Sequence, residues 1–136
     1  MQWSDFKPYV LPYVIGCPDP LLEHHARLKA IEFCRRTLCL TQTLETELTD
    51  GASNVVELYP DSGLQIIKIK SLTVGGQPWT PVPTVQGEEL VASGSTQDFA
   101  YVTSDGALNV YPLQAAGVEV KVIAAVAPTM VSTTCP

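Results

Sequence analysis

Charged side chains are scarce in this sequence, at 16% of its 136 residues. Cations are scarcer still: 8 Lys and Arg stand against 14 Asp and Glu, for a net charge of −6. That balance argues against a protein that grips nucleic acid, because backbone binding is driven by Lys and Arg neutralising phosphates. A chain so poor in charge either hides surface against partners or is a β-rich chain full of Thr, Ser and Val. Long apolar runs are missing too. None approaches the ~20 residues that cross a bilayer as a helix. Met1-Gln2-Trp3-Ser4-Asp5 lacks the basic and apolar regions of a secretory leader, so the expected compartment is a cytosol.

The usual chemical groupings are also absent. Cys17, Cys34, Cys39 and Cys135 match no zinc spacing such as C-x2-C, and buried free thiols are expected in that compartment. The two histidines, His24 and His25, are adjacent. Neighbours on a helix point about 100° apart, so they cannot share a metal as an i,i+4 pair does, and they read as solvated surface residues. No G-x-S-x-G, no P-loop and no Gly-rich strand-to-helix turn occurs. Glu45 and Glu47 share one strand face, and Glu88-Glu89 has no nucleophile motif beside it. A solvated face explains these carboxylates more simply than a general acid–base pair. No catalytic residue, metal or cofactor is expected, and the chain is not expected to be an enzyme.

What the sequence does hold is one strong helical pattern. Asp19 is expected as its N-cap and Pro20 as N1, where a missing N–H costs nothing. Leu22, Ala26, Ala30, Phe33, Cys34, Thr37 and Leu38 recur at helical spacing, with His24, Lys29, Glu32, Arg35 and Arg36 opposite. Phe33 is therefore predicted to be core. Glu23–Arg27 and Glu32–Arg36 are i,i+4 pairs in the favourable order. Before this helix, residues 1–18 carry Trp3, Phe6, Tyr9 and Tyr13 among prolines and glycine. They are too apolar for a free tail and too broken for a helix. The segment reads as an extended arm that docks its aromatics on the body or on a neighbour, or equally as a strand of its own domain.

After the helix the period changes to two. Leu44, Thr46 and Leu48 alternate with Thr43, Glu45 and Glu47. Asp50-Gly51 is a turn signal before a short strand at residues 54–59. Leu64–Val74 is the longest strand, with a shift of apolar phase near Ser71 that predicts a β-bulge. Gly75-Gly76 suits a tight hairpin. Three prolines around Trp79 argue against a central strand at residues 77–83. Glu88–Ala92 is expected as a short strand, then residues 97–103 with Phe99 and Tyr101 on one face. Ser104-Asp105-Gly106 turns the chain into 107–111, and residues 118–127 form the last strand. The expectation is a single α+β domain, β-dominant: an antiparallel sheet or small sandwich of about seven short strands with one long N-terminal helix. Its parts are the arm at 1–18, the helix at 19–40, the β region at 41–128 and a Thr/Ser-rich tail at 129–136.

The opening stretch, Leu11-Pro12-Tyr13-Val14-Ile15-Gly16-Cys17-Pro18-Asp19-Pro20 followed by Ala30-Ile31-Glu32-Phe33-Cys34-Arg35-Arg36-Thr37, resembles the start of head–tail adaptor (connector) proteins of tailed bacteriophages. The later layout is similar as well: Val55-Val56-Glu57-Leu58 before a Pro/Gly turn, Gly75-Gly76-Gln77-Pro78-Trp79 after the long strand, and Leu108-Asn109-Val110-Tyr111-Pro112 leading into the last strand. The resemblance implies a virion structural protein assembled in the host cytoplasm. Copies would form a homo-oligomeric ring, with a dodecamer expected, between the portal protein and a tail or nozzle protein. DNA would pass through the channel without specific binding, a conduit that an acidic balance suits. Trp3, Phe6 and Tyr9 of the arm, and His24, Leu28 and Arg35 on the helix flank, are the expected contacts with neighbouring subunits or portal. The rival readings are a tail-completion or tail-terminator protein, and a β-sandwich module that binds sugar or peptide through Trp79, Tyr101 and Tyr111.

Overall fold

A computed structural model describes residues 2–48, 55–103, 107–112 and 114–131. The expected turns at Asp50-Gly51 and Ser104-Asp105-Gly106, the start of the 54–59 strand, Cys135 and most of the tail lie outside the described residues. The chain is α+β and strand-rich, with a seven-stranded sheet in the order β1-β7-β3-β4-β5-β6-β2. Its strands are β1 (Thr41–Glu47), β2 (Val55–Glu57), β3 (Leu64–Val74), β4 (Gln77–Pro81), β5 (Phe99–Val102), β6 (Ala107–Tyr111) and β7 (Glu119–Pro128). In place of one long N-terminal helix, the helical residues are divided among α1 (Lys7–Val10), α2 (Asp19–Thr37) and α3 (Thr84–Ala92). Contacts group the chain into two compact units: residues 1–41, 60–67 and 125–136, and residues 42–59 and 68–124.

In the first unit the expected extended arm is instead a succession of helical turns. Trp3–Phe6 and Leu11–Tyr13 are 3-10 turns on either side of α1. Prolines at 8 and 12 sit in the first turns of these pieces, where the absent N–H is harmless, and they break one helix into several. Trp3 is only 2% exposed. The Arg27 guanidinium lies 5.8 Å from its ring centroid, a cation–π contact, and Arg27 Nη1 donates to the Met130 carbonyl at 3.1 Å. Arg27 is therefore committed to Trp3 and Met130 and not to Glu23. The expected Glu32–Arg36 pair does form, at 2.7 Å.

Helix α2 begins at Asp19, but its N-cap is Pro18, whose carbonyl accepts from the Leu21 and Leu22 amides at 3.0 and 3.1 Å. Asp19 is one position inside, and its carboxylate accepts from Lys7 Nζ at 2.9 Å. Lys7 also reaches Glu23 at 3.2 Å. The helix stops at Thr37 and not at residue 40, because Leu38 turns left-handed at φ +53° and its amide closes onto the Cys34 carbonyl. Leu22, Ile31 and Cys34 are buried. Phe33 is 59% exposed, so the expectation that it is core is wrong. The buried face runs through Ile31 and half-buried Arg27, on the far side of Ala30 from Phe33. Leu22, on the same side of the helix as Phe33, is buried, so the covered face shifts along α2 toward Ile31 and Cys34 and leaves Phe33 outside it.

In the second unit the period-two reading holds. Leu44 and Leu48 are buried while Thr43, Glu45 and Glu47 are exposed. The Leu48 amide donates to Val118 O and the Gly117 amide to Leu48 O, which locks β1 beside β7. Lys121 on β7 forms an ion pair with Glu45 on β1. β3 has the expected ends, and its burial phase shifts across Lys70 and Ser71, both exposed between buried Ile69 and Leu72. Gly75 and Gly76 take φ of +57° and +78°, the conformation of a two-residue hairpin, and pair Val74 with Gln77 and Leu72 with Trp79.

Two expectations fail together here. Residues 77–81 are a strand, and it lies in the middle of the sheet. Residues 88–92 belong to α3 and are not a strand. β4 pairs antiparallel with β3 but parallel with β5, so the sheet is mixed where an antiparallel one was expected. A parallel pair needs a long crossover, and α3 supplies it. The prolines are tolerated because β4 is in register with β3 over three residue pairs and with β5 over two, which leaves few amides to be missed.

Candidate functional site

The expected contact residues separate once placed. Trp3 is buried and Phe6 half-buried, their rings 6.2 Å apart, so Trp3 packs the N-terminal turns and presents almost no surface of its own. Tyr9, His24, Leu28 and Arg35 are exposed. The strongest apolar display lies in the expected arm and extends beyond Tyr9 to aliphatic residues that were not among the expected contacts. Tyr9, Val10, Leu11, Tyr13, Val14 and Ile15 are all exposed large hydrophobics, with Tyr13 at 87% and Ile15 at 94%. The sequence did contain a signal. An apolar run with neither a two- nor a 3.6-residue alternation, interrupted by Pro12 and Gly16, cannot put all its side chains on one buried face.

This run borders a groove of about 320 Å³ lined by Val10, Val14, Cys17, Leu22, His25, Ala26 and Lys29. A second groove, about 680 Å³, follows the outer flank of α2 through His25, Leu28, Lys29, Ile31, Glu32, Arg35 and Arg36. Its floor is apolar, from Leu28 and Ile31, and its rim is cationic. Glu32 is held below the ordinary carboxylate range, first by the hydrogen bond from Lys29 at 2.8 Å and then by the charge of Arg36. Arg35 makes no ion pair among the described residues. The groove thus sets two apolar side chains among three cations, with His25 and Glu32 beside them.

Elsewhere the chemistry is spare. Among the described residues no group of three or more His, Cys, Asp and Glu is placed to hold a metal ion. No described helix is long and apolar enough to cross a membrane. The His24 and His25 rings stand edge-on at 5.9 Å, with no third ligand among the described residues. Cys17 is half-buried and Cys39 exposed, both as thiols, while Cys34 is buried in the α2 face. Trp79 is buried, and Tyr101 and Tyr111 are half-buried with ring centroids 6.4 and 5.4 Å from that of Phe99. These aromatics pack the second unit and line neither of the two grooves described above. No protein-family model matches the chain, and no curated protein matches it in sequence.

Proposed function

We propose that this protein works by assembly and not by catalysis, as a head-to-tail adaptor of a tailed-phage virion: a ring-forming subunit between portal and tail whose channel passes DNA. The observation that carries the assembly part is the exposed apolar run from Tyr9 to Ile15. A lone exposed leucine is ordinary, but six large apolar side chains exposed within seven residues are a concentration of apolar surface of the kind that partners cover. The phage part rests on the resemblance of residues 11–37 and of the later strand layout to adaptor proteins. The low charge of the chain and its acidic balance are consistent with both. A tail-completion or tail-terminator role uses the same surface and is the nearest alternative. The sugar- or peptide-binding reading loses its support with the burial of Trp79.

The test is the pair of variants Tyr13→Asp and Ile15→Asp, with Leu28→Asp on the α2 flank. All three side chains are exposed, so each variant is expected to fold with the wild-type circular dichroism spectrum. Each is expected to leave full heads and free tails unjoined when it replaces the native subunit. Infectious particles in normal yield from all three variants would refute the assembly reading.

A further inference from the structure

The charges of the chain are divided unevenly between its two units. The first unit holds five carboxylates (Asp5, Asp19, Glu23, Glu32, Asp61) and five cations (Lys7, Arg27, Lys29, Arg35, Arg36) and is neutral. The whole net charge of −6 therefore belongs to the second unit. Four of the eight cations of the chain lie on α2, together with both histidines, and three of those four line one groove over Leu28 and Ile31. The second unit carries a feature of opposite sign and matching texture. On α3, Val85, Glu88, Glu89 and Ala92 recur at helical spacing and are all exposed, Val85 at 68%. An exposed valine beside two carboxylates, neither of which has an ion-pair partner among the described residues, is an apolar tooth with an acidic rim.

We infer that the cationic groove of α2 receives α3 of a second copy of this chain, Val85 against Leu28 and Ile31, with Glu88 and Glu89 against Lys29, Arg35 and Arg36. The mode is an amphipathic helix laid in a groove. Groove and helix are different residues of each copy, so the contact is heterologous: a copy that lends its helix to one neighbour still has its groove for another. This deepens the assembly reading and rests on it, by naming the face that joins subunit to subunit.

Charge reversal tests it on the purified chain alone, by sedimentation velocity over a concentration series at low salt. Arg35→Glu and the double variant Glu88→Lys/Glu89→Lys are each expected to weaken self-association roughly tenfold or more, since each sets like charges face to face. An equimolar mixture of the two variants is expected to associate as wild type does, because each groove then meets a helix of opposite charge. Recovery in the mixture is something a merely destabilised variant does not give. A wild-type chain that stays monomeric throughout the series overturns the inference, as does association that neither reversal changes. Binding of a purified portal protein is measured separately on the same variants. Loss of portal binding with self-association intact would assign the groove to another partner and overturn the inference while leaving the adaptor reading standing. Self-association that follows the charges without any joining of heads to tails would do the reverse.

Discussion

Gly87 shows how tightly one residue can be held by its surroundings. A Cβ built on it falls 2.3 Å from Tyr101 Cγ, far inside contact distance, so the ring of Tyr101 lies directly on the α3 backbone. In an open helix Gly→Ala is worth about 1 kcal/mol of stabilisation. Here the sign is expected to reverse. Gly87→Ala should cost roughly 1–3 kcal/mol, the range for overpacking, as read from the midpoint of urea unfolding. Phe33 gives the opposite case. Its side chain is more than half in solvent, so Phe33→Ser is expected to stay within about 0.5 kcal/mol of wild type, where a core phenylalanine would lose several. The sequence shows a phenylalanine at helical spacing from Leu22 and Ala26. It does not show how far along that side the rest of the chain reaches: Leu22 is covered and Phe33, on the same side three turns later, is not.

Elements whose ends are marked by local chemistry were legible. β3 ends in Gly75-Gly76 and β6 ends at Pro112, and both have the bounds that their punctuation predicts. Elements that exist for tertiary reasons were not. α3 has no side-chain cap, follows Pro83 and contains a glycine, so nothing local announces it; it forms because β4 and β5 run parallel and need a crossover. Thr84 Oγ1 donates to the Val102 carbonyl at 2.6 Å and ties its first turn to β5. The start of α2 lies between these cases. Its first residue is legible from the sequence, but Asp19 serves as a partner of Lys7 and not as the cap. Asp19→Ala is therefore expected to cost less than the ~1 kcal/mol that losing a true N-cap costs, by thermal unfolding. The Lys7 ammonium is raised above its ordinary value by the hydrogen bonds to Asp19 and then Glu23. A raised lysine contributes its stability fully below its unfolded value and loses it as pH climbs through the folded one. The N-terminal turns are therefore expected to loosen from α2 in strongly alkaline solution. Lys7→Met should abolish that alkaline step when Trp3 fluorescence is followed.

Across the whole chain, one sheet order joins seven strands, and the exposed groups sort by sign and by polarity. The apolar display and the cationic groove lie in the first unit; the surplus carboxylates lie in the second. A molecule built this way has its stickiest features near its amino end, and its association is expected to weaken with added salt as the charges are screened. The proline-bearing strand β4 carries a different consequence. It sits at the centre of the sheet, yet it is registered with its neighbours over only three and two residue pairs. The middle of the sheet is therefore laced more loosely than the β5–β6 side, where four residue pairs are in register. In native-state hydrogen exchange the amides of β5 and β6 should stay protected together as one cooperative block, while those of β4 exchange through a smaller, separate opening. Each such opening bares the backbone edges of β3 and β5 to any extended chain nearby. The fault line of this protein, and its route to aggregation, would then lie inside the sheet and not at its rim.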